Sequence, residues 1–118
     1  MRPSKGTIEI STFSSIHIRK AAPFDGFTKE NVEADLSTAA KIADFHDKNG
    51  NVMKFKFIDD IKTNSYGNVI KEISFQMIDY PGIHFTMSLP TATEEEQKQF
   101  RAWSKFWTEL TKLGYKVK

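Results

Sequence analysis

The chain has 118 residues, 39% of them hydrophobic and 13% aromatic, which is enough for one core and too little for two, so a single domain is expected over residues 1–118. Lys and Arg number 17 against 15 Asp and Glu, and a net charge of +2 generates no field that demands nucleic acid or an anionic membrane. The absence of cysteine excludes disulfide frameworks, thiolate zinc sites and cysteine nucleophiles. No segment approaches the roughly 20 apolar residues of a membrane-spanning helix, so a soluble, cytoplasmic protein is expected.

Between Thr7 and Arg19, Ile8, Ile10, Ile16 and Ile18 alternate with Glu9, Ser11, His17 and Arg19. This predicts a long strand, bulged near Phe13-Ser14-Ser15 where the inner face turns polar, and Phe13 points outward unless the bulge re-aims it. Pro23 and Gly26 mark a connection, and Thr28 is placed to cap a short helix through Val32.

Residues 29–48 fit two patterns. Val32, Leu36, Ala39 and Ala43 share one helical face, with Gly50 as the stop. Alternatively, a loop at Lys48-Asn49-Gly50 pairs Phe45 with Met53, Asp44 with Lys54 and Ala43 with Phe55, setting apolar against apolar and acid against base. That complementarity favours a strand over 39–46, with the helix as the alternative.

Met53, Phe55 and Phe57 alternate with Lys54 and Lys56 in a strand expected to end at Asp59-Asp60, followed by turn residues from Lys62 to Asn68. Val69, Ile73, Phe75 and Met77 then share a face opposite Glu72, Ser74 and Gln76, and the alternation resumes after Tyr80-Pro81-Gly82 with Ile83, Phe85, Met87 and Leu89. A two-residue turn there sets Gln76 against Met87. A three-residue loop instead pairs Met77 with Phe85 and Phe75 with Met87, and puts Gly82 in the left-handed conformation.

Pro90 ends that strand, and Thr93-Glu94-Glu95-Glu96 forms a capping box. Phe100, Trp103, Phe106, Trp107, Leu110 and Leu113 make the apolar stripe of a helix stopped by Gly114. The ends, Met1 to Lys5 and Tyr115 to Lys118, are expected to fray. The fold class is therefore α+β: a single antiparallel sheet of about five strands with one long C-terminal helix packed on one face.

Candidate chemistry is sparse. His17, His46 and His84 fall at outward positions without a closely spaced ligand pair, so no metal site is expected. Asp59 and Asp60 are adjacent and point to opposite faces of a strand, which prevents them from sharing a substrate. Ser14, Ser15 and His17 stand without a nucleophile elbow or an orienting acid. Asp47-Lys48-Asn49-Gly50 fails the calcium-loop template, which needs an acid where Phe45 stands and a glutamate where Lys56 stands. No glycine-rich phosphate loop occurs, and no cofactor is expected.

A helix covering one side of the sheet leaves the other side wet, and this outer face is expected to carry Phe13, His17, Arg19, Lys54 and Lys56 as ligand-binding residues. The expected function is a non-enzymatic binding module with a protein partner, of inhibitor, immunity or adaptor type, and an open sheet edge that also allows homo-oligomers. Single-stranded nucleic acid on the outer face is the alternative, and a membrane partner is not expected. In element order alone, strands followed by an acidic-capped, tryptophan-bearing helix look broadly like a pleckstrin-homology-type module and like the repeat unit of whirly-type single-strand binders.

Overall fold

Alternating isoleucines draw Gly6–Ile10 (β1) and Ser15–Ala21 (β2) into an antiparallel ribbon, with Ile8 opposite Ile18 and Ile10 opposite Ile16. The computed structural model describes residues 6–10, 14–82 and 93–117, so Phe13 and residues 83–92 lie outside the described residues.

The stretch favoured as a strand over 39–46 is instead the end of a helix, α1, Lys29–Ala43. Thr28 caps it by accepting from the Asn31 amide at 3.2 Å, and Val32, Leu36, Ala39, Ala40 and Ala43 form its buried stripe. Alanine has the highest helix propensity and costs no side-chain entropy, which decides the contest for this segment. Asp44 ends the helix in the left-handed conformation (φ 56) and donates its amide to the Ala40 and Lys41 carbonyls.

Beyond that residue the expected hairpin register does form. The Met53 amide donates to the Phe45 carbonyl at 3.0 Å, the Asp47 amide to the Asn51 carbonyl at 2.8 Å, and His46 bridges to Val52. Asp47 closes the loop by accepting from the Asn49 and Asn51 amides. Both patterns were therefore present, joined at Asp44. The left-handed turn there removes the Asp44–Lys54 and Ala43–Phe55 pairs.

β3 (Lys54–Ser65) does not stop at the aspartates but runs on to a tight turn at Tyr66-Gly67 and returns as β4 (Asn68–Ile78). Both turn residues have positive φ, 50 for Tyr66 and 81 for Gly67, the type I′ geometry that matches strand twist. A bulge between Phe57 and Asp59 inserts Ile58, so the alternation appears to break at the point where the strand in fact continues. Gly82 takes the expected positive φ of 80. The strand expected over 83–89 falls outside the described residues, and the expected pairing of β4 with it is replaced by β3 on one side and β2 on the other.

The sheet order is β3-β4-β2-β1-β5, with β5 (Tyr115–Val117) running parallel to β1. The expected fraying of Tyr115 is thus corrected. The ring is buried, and its hydroxyl donates to Asp35 of α1 at 2.7 Å. The seam between the two ribbons is β2 against β4, where Ile16 meets Phe75 and Ile18 meets Ile73.

Helix α2, Glu94–Lys112, carries the expected capping box at Thr93 and buries Phe106, Trp107 and Leu110. Both helices belong to the same core as Ile8, Ile16, Ile18, Phe55, Ile73, Phe75 and Met77, so they lie on one side of the sheet. The Phe106 ring sits 5.8 Å from Phe55, 5.1 Å from Phe45 and 5.0 Å from Trp107. The long hairpin makes the molecule elongated, 49 × 25 × 25 Å.

Two predictions follow from this core. Phe106→Ala is expected to lower the unfolding free energy by about 3–5 kcal/mol in urea titration, because the ring leaves a cavity among aromatic neighbours. Burial pushes the Tyr80 phenol from 10.0 up to about 12 and raises Tyr115 further, with Asp35 adding to the effect. A raised acid keeps its proton in the folded state, so the associated stability is full below the unfolded value and is lost as pH climbs through the folded one. Phenolate absorbance from these two tyrosines is expected to appear only together with loss of far-UV circular dichroism, above pH 10.0 and toward about 12.

Candidate functional site

Strand alternation puts His17 and Arg19 of β2, Glu72, Ser74 and Gln76 of β4, and Lys54 and Lys56 of β3 on the face away from the helices. Lys54 and Lys56 are exposed, so no second layer covers them, and Trp107 faces the core rather than water. His17, Arg19, Lys54 and Lys56 therefore share a face, whereas Phe13 lies outside the described residues. They do not form one cluster. β4 separates the pair on β2 from the pair on β3, by two strand spacings of about 4.8 Å each.

The face carries charges of both signs. Arg19 Nε donates to Glu72 Oε1 at 3.0 Å, and His17 Nδ1 lies 2.8 Å from Ser74 Oγ and 3.8 Å from the same Glu72 oxygen. Ser74 is buried, so its hydroxyl needs this partner, and the cross-strand row continues through Glu9 on one side and Asp59 on the other. Arg19, Lys54, Lys56 and Lys116 share the face with Glu9, Asp59 and Glu72, one cation more than the carboxylates.

His17, Ser74 and Glu72 invite comparison with a hydrolytic triad, but Ser74 and Glu72 both approach the same ring nitrogen, Nδ1. A relay needs the nucleophile on one nitrogen and the orienting acid on the other. Ser15, cast beside His17 in sequence, pairs across to Gln76. His46 is engaged elsewhere, by the Asp44 carbonyl at 2.9 Å and carboxylate at 3.3 Å, and His84 lies outside the described residues. Among the described residues, no group of three or more histidines and acids is placed to hold a metal. The aspartate pair splits as expected. Asp59 faces outward, while Asp60 turns to the helix side and pairs with Lys71 at 3.6 Å.

Exposed apolar residues that the alternation does not predict line β3: Ile58 (49% exposed), at the bulge after Lys56, and Ile61 (42%), opposite Glu72, with Ile78 across from Lys54 on β4. The signal was present in Phe57-Ile58-Asp59, where two hydrophobic residues in succession break the period as a bulge does. Among the described residues, no helix is long and apolar enough to cross a membrane.

No family model matches the chain, and no curated protein and no solved structure matches it either.

The Arg19–Glu72 pair is half open to solvent, so its coupling energy in a double-mutant cycle (Arg19→Ala, Glu72→Ala) is expected to be under about 1 kcal/mol. Ser74→Ala, which leaves the His17 imidazole without its buried partner, is expected to cost about 1 kcal/mol or more in the same urea assay.

Proposed function

We propose that this protein is a non-enzymatic binding module that engages a protein partner through the outer face of its sheet along β3 and β4. The observation carrying this reading is the composition of that face: four cations, Arg19, Lys54, Lys56 and Lys116, interleaved with the carboxylates of Glu9, Asp59 and Glu72, with Ile58, Ile61 and Ile78 exposed among them. Mixed charge around isolated apolar anchors is the make-up of a protein contact, in which the apolar residues supply most of the affinity and the charges set orientation. The fitting partner surface offers apolar side chains to the isoleucines and carboxylates to Lys54 and Lys56. An inhibitor, immunity or adaptor role is compatible with such a surface.

The single-strand alternative needs an uninterrupted cationic track with aromatic platforms. Glu72, on the strand between the two basic pairs, engages Arg19, and Asp59 follows Lys56 on the outward side of β3, so the interleaved carboxylates favour protein over a polyanion.

The test is capture from native lysate on the immobilised protein, with and without nuclease and over a range of salt. The expected result is a retained protein that survives nuclease, loses affinity by about tenfold or more with Ile58→Asp or Ile61→Asp, and changes little between moderate and high salt. Capture abolished by nuclease, falling steeply with salt and lost with Lys54→Met/Lys56→Met, would establish the nucleic-acid reading instead.

A further inference from the structure

A denser run of positive charge lies on the other side of the sheet. Lys20 of β2, Lys71 of β4 and Lys62 of β3 fall in one cross-strand row, Lys20 opposite Lys71 and Lys71 opposite Lys62. Alternation places this row on the helix side, past Ile18 and Ile73, where the apolar core ends and α1 begins. Like charges directly opposite one another destabilise a sheet, and here the repulsion is imposed twice in succession. Among the described residues, the one carboxylate ion-paired to the row is Asp60, 3.6 Å from Lys71.

Partial compensation comes from neutral groups. The Lys20 ammonium donates to the Pro23 and Ala21 carbonyls, and Lys71, only 13% exposed, donates to the Phe27 carbonyl at 3.0 Å. The Lys62 ammonium lies 5.8 Å from the centre of the Phe24 ring, and Lys29, the first residue of α1, lies 4.5 Å from that of Phe57. Lys20 and Lys71 thus hold the loop between β2 and α1 against the sheet. Lys62 meets the same loop through the face of the Phe24 ring and not through a carbonyl. Each ammonium carries three donors, so the row retains N–H groups beyond those given to carbonyls.

We propose that Lys20, Lys62 and Lys71 form a binding site for the phosphate group of a small molecule, with Lys62 as its most accessible contact. A divalent tetrahedral oxyanion matches the excess charge and takes up the spare donors of a short row, where a single carboxylate matches neither. The site is independent of the outer face, so either can fail without the other.

The experiment is an NMR titration of backbone amides with pyrophosphate, repeated with inorganic phosphate and with a phosphate monoester to separate a free anion from an esterified one. Saturable shifts at Phe24, Phe27, Lys62 and Lys71 are expected, with Kd near or below about 1 mM. Lys20→Met/Lys62→Met is expected to weaken binding about tenfold, while Lys54→Met/Lys56→Met, which removes the same charge from the outer face, changes it less than about twofold. Circular dichroism checks folding. Should the first double variant unfold, Lys62→Met alone decides, with about threefold or greater weakening expected. The proposal is overturned by any of three results: no saturation by about 10 mM, equal losses in the two double variants, or shifts centred on His17 and Lys56.

Discussion

The structure depends on covering one oily face of a sheet whose other face, among the described residues, carries no helix. Phe106 is where that cover is fastened: its ring is fully buried and touches Phe55 from the sheet, Phe45 from the loop after α1 and Trp107 from its own helix. Burying one such side chain stabilises by roughly 2–3 kcal/mol, and it does so while tying three separate parts of the chain to one point. With both helices committed to that side, the outward residues of β2, β3 and β4 are left to solvent, which is why any contact surface on this sheet is polar with a few stray isoleucines.

Much of this was legible from periodicity. The α2 stripe and its capping box, the alternation of β2 and β4, and the sidedness of His17, Arg19, Lys54 and Lys56 follow from spacing alone. The failures have local physical causes. Around Ala43 two valid signals overlapped, and a single left-handed aspartate let the chain satisfy a helix first and a hairpin immediately afterwards. Ile58 shifted the phase of β3 by one residue and made a continuing strand look finished. Tyr115 looked like part of a tail because three residues carry no period. It is the parallel pairing with β1 and the hydroxyl bond to Asp35 that order them.

The candidate site was less legible than the fold, because charge matching depends on which strands are neighbours. Net charge says nothing about whether Arg19 meets Glu72 or Lys20 meets Lys71, residues separated by 50 or so positions in the chain. Once the order β3-β4-β2 is known, the basic residues divide into two populations: one interleaved with carboxylates on the outer face, the other aligned in a single row beside α1.

The β2–β4 seam has a bearing on how the chain reaches its native state. Each ribbon zips between sequence neighbours, whereas joining them closes a loop that includes all of α1, and the entropy of that closure is recovered only when Ile16 and Ile18 reach Phe75 and Ile73. The entropy of long-range closure thus falls on the contact between the ribbons and not on the turn of either one.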